Sequence, residues 1–380
     1  MTTLITDDFN PFLVAGYLDQ AHFCNREKET ADIISLNQSK INITLFALRR
    51  MGKTGLIHHV FKTMERKNKI ACIYIDILAT QNLKEFTTCI ANAIYQRFPE
   101  NKGIGNKLLE LIKLLRPTIS YDTLSGVPEL SLDFKQTHQY EKTIQQLFEF
   151  LDQQNIKITV AIDEFQQILS YPEKNIEASL RTFIQQLKNT NFIFCGSNQQ
   201  MMNVIFNDAK RPFFASCTAL KLDKIDPHEY SKFIQTLFNK NHKTISPESI
   251  HFILEWTHTH TYYTQYVCNR VFATGVKDIA INHIRKVCTT ILAQNEHIYF
   301  QYRALLTIAQ WKLLKAFAKE EIVTQPHAST FLKKYELGTS AMVKRGLDAL
   351  IHKEMISITY TESGIAYSVY DKFLMRWMQD

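Results

Sequence analysis

Four short runs of β-branched and aromatic residues mark the first 200 positions: Ile41-Asn-Ile-Thr-Leu-Phe46, Lys69-Ile-Ala-Cys-Ile-Tyr-Ile-Asp76, Ile156-Lys-Ile-Thr-Val-Ala-Ile-Asp163 and Asn191-Phe-Ile-Phe-Cys-Gly196. Runs this short and this apolar predict strands buried on both faces, as in a parallel sheet. Gly55-Leu-Ile-His-His-Val-Phe61 reads as the start of a helix between the first two. The β-α-β-α alternation over 41–225 predicts an α/β fold, with any ligand at the C-terminal ends of the strands. From 227 to 293 the pattern turns wholly helical, opening on Pro227 as a first helical residue should. Residues 304–380 change rhythm again, with helices expected at 310–318, 328–335 and 339–352. Strands at Met355–Tyr360 and Ile365–Tyr370 follow, around Thr361-Glu-Ser-Gly364. Three helices and a two-stranded wing predict a winged helix-turn-helix. The domains are therefore expected at 1–226, 227–299 and 300–380. Gly and Pro between Asn101 and Gln139, around the helical patch Leu108–Leu115, suggest a loop or hairpin inserted in the first.

Composition narrows the class without choosing a function. A chain of 380 residues, 45% hydrophobic and 21% charged, has the balance of a soluble globular protein of two or three domains. No segment approaches the ~20 apolar residues of a membrane span, and Asp7 and Asp8 interrupt any basic, then apolar, leader. Seven scattered cysteines without a Cys-x-x-Cys pair exclude a zinc ribbon and predict a cytoplasmic protein. A net charge of +7 permits contact with nucleic acid without demanding it.

The chemistry concentrates where strands end. Ala47-Leu-Arg-Arg-Met-Gly-Lys-Thr54 lies between the first strand and the first helix, the context of a phosphate-binding P-loop. Arg49, Arg50, Met51, Gly52, Lys53, Thr54 and Gly55 would wrap a nucleotide's phosphates with backbone N–H groups. Lys53 would reach the β/γ oxygens, and Thr54 would ligate Mg²⁺. Ala47 stands where the signature usually has glycine, and its methyl group would be strained if that position required positive φ. Asp163 and Glu164 end the third strand as two consecutive carboxylates. Asp163 would hold the Mg²⁺ shell, and Glu164 would polarise the attacking water. Ser197 and Asn198, after the fourth strand, are candidates to sense the γ-phosphate; an N-cap is the competing role for both.

With these pieces placed, the chain resembles the archaeal and bacterial P-loop ATPases related to the STAND and AAA+ groups. The resemblance spans nearly the whole length and implies a P-loop NTPase core, a helical lid over 227–299 and a C-terminal winged helix, with ATP and Mg²⁺ as ligands. It makes Phe23, Asn25 and Arg26 candidates for the nucleotide pocket, within Phe23-Cys-Asn-Arg-Glu27. His260-Thr-Tyr-Tyr-Thr-Gln265 resembles a lid motif in which Thr261 replaces a proline. Ala215 and Ser216 stand where many members have Gly-Arg, leaving Arg211 as a fallback phosphate contact.

The resemblance implies a slowly hydrolysing, Mg²⁺-dependent ATPase acting as a conformational switch, with a nucleotide-dependent oligomer as one outcome. Two rivals stand beside it: a DNA-binding AAA+-type ATPase similar to replication initiators, and a non-hydrolysing ATP-dependent scaffold. In the DNA reading, Ser340, Lys344 and Arg345 face the duplex. Between Trp311 and Glu354, eight Lys/Arg stand against five acids, a modest excess for neutralising several phosphates. A protein partner for the winged helix is the alternative.

Overall fold

A computed structural model of the chain describes residues 9–98, 118–121, 128–131, 137–361 and 364–379. The predicted Leu108–Leu115 patch lies outside them. Two compact units emerge: Gly16–Lys224, and Ile225 onward joined by residues 9–15.

The first unit is built on five parallel strands: β1 (Ile43–Phe46), β2 (Ala71–Asp76), β5 (Ile158–Asp163), β6 (Thr190–Gly196) and β7 (Thr218–Lys221), in spatial order β2-β5-β6-β1-β7. Strands β3 (Thr118–Tyr121) and β4 (Pro128–Ser131) pair antiparallel apart from it. Every residue of β5 and β6 is buried, which explains why their sequence shows no polar alternation. Successive residues serve opposite faces. Ile73, Ile75, Val160, Ile162, Phe192 and Phe194 pack under α3 (Leu83–Arg97), α4 (Thr137–Asp152) and α5 (Ile176–Gln185). Cys72, Ala161, Ile193 and Cys195 face α1 (Glu27–Gln38) and α2 (Lys53–Asn68). Inside that second layer, Asn37 of α1 donates to Thr159 Oγ1 of β5 at 2.9 Å.

This order has a functional consequence. β6 separates β1 from β5, so the loops leaving β1, β5 and β6 emerge side by side at one sheet edge. That edge carries Lys53, Thr54, Asp163, Glu164 and Ser197.

Up to residue 304 the second unit is helical apart from one short parallel pair, β8 (Thr244–Ile245) beside β9 (Asp278–Ile279), which interrupts the wholly helical run expected there. α7 (Pro227–Lys240) has Pro227 in its first turn, and Asp226 caps it by accepting from His228 and Glu229 N–H. α8 (Pro247–Trp256), α9 (Thr261–Ala273) and α10 (Ile281–Ala304) follow, and α10 runs unbroken through position 299. Residues 9–15 belong to this unit: Phe12 packs on Phe238, and Asn10 and Asn269 exchange side-chain bonds with each other's segment at 2.9 Å. The chain then forms α11 (Ile308–Glu320), α12 (Ser329–Lys334), α13 (Ser340–His352), the antiparallel β10 (Ile356–Thr361) and β11 (Gly364–Val369), and α14 (Lys372–Gln379). Val323 adds a short third strand by bridging Tyr367. Leu313, Phe317, Val343, Leu347, Leu350, Val369 and Met375 form its buried centre.

Candidate nucleotide site

The turn after β1 is shaped by backbone conformation. Gly52 adopts φ +91°, a left-handed geometry natural to glycine, and α2 begins at the next residue. Its first N–H groups therefore face the loop without a side-chain cap, the arrangement that favours an anion. Arg50 is also left-handed, at φ +62°. Ala47 is not: it is fully buried with ordinary φ, and its methyl group packs in the core beside Leu45 and Met51. The strain that glycine would relieve does not arise there.

Lys53 reaches across to β5. Its ammonium lies 2.6 Å from Asp163 Oδ1 and 3.3 Å from Glu164 Oε1. Asp163 Oδ2 accepts from Thr54 Oγ1 at 3.1 Å and from Tyr74 OH at 2.7 Å, and its Oδ1 from Glu164 N–H at 2.9 Å. Burial alone would push the Asp163 carboxyl up and the Lys53 ammonium down. Their mutual attraction outweighs this, so Asp163 is held below the ordinary carboxylate range and Lys53 above the ordinary ammonium one. Burial raises the Tyr74 phenol well above its usual value, so it stays a proton donor.

Glu164 sits at φ +55°, a left-handed turn that swings its side chain back toward Lys53. Ser197 Oγ donates to its Oε2 at 2.8 Å, and Gln166 Nε2 donates to the same oxygen at 2.5 Å. Arg49 Nε in turn reaches Ser197 Oγ at 3.4 Å. Three loops thus converge on one carboxylate.

The predicted residues divide. Lys53, Thr54, Asp163, Glu164, Ser197 and Arg49 come together. Asn198 instead caps α6 (Gln199–Asn207), its side-chain oxygen accepting from Met201 N–H at 3.0 Å. Phe23 lies beside the P-loop helix: a Cβ on Gly55 would sit 3.5 Å from its ring, which stacks on His59 at 4.6 Å. Asn25 and Arg26 are both left-handed, and Asn25 Oδ1 accepts from Arg26 N–H. Arg26 is buried, spending its guanidinium on Glu29 and the Asp223 carbonyl, each at 2.7 Å. Arg211 pairs with Glu177 of α5, so the fallback phosphate arginine has a structural partner. In the other unit, Tyr263 is buried against Phe373 and His260, a core tyrosine. Ser340, Lys344 and Arg345 lie exposed on α13. Sequence reasoning missed Tyr74 and Gln166. Tyr74 hides within an apolar strand, and only the neighbouring register, Asp76 opposite Asp163, could have suggested it.

A family model described as an ATPase domain predominantly from Archaea matches residues 23–265, and a probable winged helix domain matches 297–380. The chain belongs to this archaeal-type ATPase family. It is a P-loop ATPase with a C-terminal winged helix. No curated protein matches it. Among solved structures, a Walker-type ATPase of Pyrococcus abyssi is 14% identical with a TM-score of 0.67, covering 97% of this chain and 100% of that one. The Aeropyrum pernix ORC2 protein, in ADPNP–ADP complexes, is 12% identical with a TM-score of 0.56, covering 98% of each chain. The ORC1 protein of the same organism, in complex with DNA, is 12% identical at 0.51, covering 97% of this chain and 95% of that one. These likenesses show a shared AAA+-type fold. Among the described residues, no helix is long and apolar enough to cross a membrane.

The family implies a divalent cation beside the nucleotide, and the donor set suits one. Thr54 Oγ1 and Asp163 Oδ2 are hard oxygens already within hydrogen-bond distance of each other, next to the lysine of the P-loop.

Proposed function

We propose that this ATPase is Mg²⁺-dependent and slow, and that it uses ATP to switch conformation and reposition its winged helix. The carrying observation is the convergence of Lys53, Asp163, Glu164 and Ser197 at the strand edge where α2 begins. In this reading the N–H groups of Gly52 to Gly55 and the Lys53 ammonium bind the β- and γ-phosphates. Thr54 and Asp163 hold Mg²⁺, which supplies charge neutralisation on the phosphate oxygens. Tyr74 keeps the Asp163 carboxylate oriented. Glu164 Oε1 takes the proton of the attacking water once Lys53 has turned to phosphate, and Ser197 fixes the opposite oxygen. Phe23 lines the base side of the pocket with Asn25 and Arg26 behind it. That Lys53 is bonded to both carboxylates supports slow turnover, because phosphate must compete for it. Seven unpaired cysteines support a cytoplasmic location.

A second reading, a DNA-associated ATPase similar to the initiators, is favoured by the exposed Ser340, Lys344 and Arg345 on α13 and by the fold shared with a DNA-bound ORC1. Binding of a fluorescent ATP analogue with and without Mg²⁺, beside limited proteolysis of the ATP- and ADP-loaded protein, tests the leading reading. Mg²⁺-tightened binding and distinct cleavage patterns are expected; identical patterns would remove the switch. DNA-stimulated turnover would put the initiator-like reading first.

A further inference from the structure

Glu164 Oε1 lies toward Lys53, while Oε2 accepts from both Ser197 Oγ and Gln166 Nε2. We infer that Gln166 is a positioning residue for the reaction, fixing the orientation of the Glu164 carboxylate so that Oε1 alone is available as base. The inference rests on the assignment of Glu164 as that base.

Four observations carry it. Gln166 is 7% exposed, on the short 3₁₀ helix Phe165–Ser170 that leaves β5, so its amide is held rigidly among core residues. Its second polar atom, Oε1, is buried without a hydrogen-bond partner. An amide that leaves its buried acceptor unsatisfied does so at a cost in desolvation, which the charge-assisted bond from its NH₂ to a carboxylate offsets. Rotating the amide would instead point Oε1 at the carboxylate, lone pair against lone pair, so the orientation is fixed by Glu164.

Gly196 supplies the third observation. Its φ is ordinary, so glycine is not needed there for backbone geometry. A Cβ at 196 would lie 2.5 Å from Gln166 Oε1 and 2.4 Å from Met202 Sδ. Glycine at the end of β6 therefore makes the room in which the Gln166 amide sits. The fourth is the left-handed backbone at Glu164, which brings residues 164 and 166 to the same side of the turn. Gln166 and Gly196 thus act as one device on the Glu164 carboxylate, reached from two strands.

The test is a double-mutant cycle on the full chain, read by single-turnover ATP hydrolysis and by binding of a fluorescent ATP analogue. Gln166→Met keeps the volume and removes the donor. It should lower the hydrolysis rate roughly 10- to 100-fold, with analogue affinity unchanged within about twofold. Placed in a Glu164→Gln background, it should cause no further loss, because its effect passes through Glu164. Gly196→Ala should lower the rate similarly, by displacing the amide from the other side. A Gln166→Met rate within about twofold of wild type, or the same loss in both backgrounds, would overturn the inference and leave Glu164 as base. Loss of analogue binding in Gln166→Met would also overturn it, by showing a structural role. Undiminished hydrolysis in Glu164→Gln alone would remove the base assignment, and this inference with it.

Discussion

Lys53→Met removes the cation from a site where two carboxylates are partly or wholly withdrawn from water. Lys53 and Asp163 are both buried and 2.6 Å apart, so the substitution leaves Asp163 without its main counter-charge. Breaking a buried pair from one side costs about 3–5 kcal/mol. Asp163 keeps its hydrogen bonds from Thr54, Tyr74 and the Glu164 N–H, which lowers the expected loss to about 2–3 kcal/mol. Guanidinium unfolding measures it. Trp256, Trp311 and Trp377 all belong to the C-terminal unit, so tryptophan fluorescence reads that unit alone while far-UV circular dichroism reads both. With a denaturant slope of about 4 kcal/mol/M, the dichroism midpoint should fall by roughly 0.5–0.8 M, with a smaller change in fluorescence. Adding Asp163→Asn should recover at least half of the loss, since the more deeply buried of the two unpaired carboxylates is then neutral and only the partly exposed Glu164 remains beside residue 53. Wild-type stability in Lys53→Met, or a double variant whose loss equals the sum of the singles, would refute the reasoning.

The same pair sets a pH window. Asp163 is held below its ordinary carboxyl range in the fold, so its contribution is present above the unfolded carboxyl value and is lost as pH falls through the folded one. Lys53 is raised, so its share is present below the ordinary ammonium value and lost only above it. The stability difference between wild type and Asp163→Asn should therefore be flat from about pH 5 to 9 and shrink below about pH 4, as urea melts across that range would read. Ala47→Gly should destabilise by about 1 kcal/mol by loosening a buried, ordinary-φ position. It should not tighten ATP-analogue binding; a clear gain in affinity would contradict the loop geometry. Lys344→Ala with Arg345→Ala should reduce the salt-dependence slope of any duplex DNA binding by about 2, measured by fluorescence anisotropy. An unchanged slope would direct the winged helix to a protein partner.

The parallel sheet and its nucleotide edge were legible because strand runs, turn residues and charged termini agree: Gly-Lys-Thr opens a helix, and Asp-Glu ends a wholly buried strand. The winged helix was equally legible, since its helices and wing each carry their own period. What escaped were properties of juxtaposition. Tyr74 reads as one more apolar strand residue until β2 lies beside β5. Gln166 reads as a loop polar residue until Gly196 makes room for it. Ala47 suggested strain because a motif expects glycine, but φ at that position is set by the hydrogen-bonded path out of β1. Asn198 and Arg211 show the reverse: a polar residue near the right strand is satisfied locally, one by a helix N-terminus and one by Glu177. The attachment of residues 9–15 to the helical unit depends on contacts more than 200 residues distant, through Phe238 and Asn269. Local pattern carries no trace of it.

In the proposed reaction Lys53 and Glu164 perform different parts of one hydrolysis. Steady-state ATP turnover and ATP binding by wild type, Lys53→Ala and Glu164→Gln test it together. Weak wild-type steady-state turnover is expected, falling below detection in both variants so that the residual rate of Glu164→Gln is read only in single turnover, with ATP still bound by Glu164→Gln and lost by Lys53→Ala. Turnover that persists in Glu164→Gln, or undiminished binding in Lys53→Ala, would contradict it.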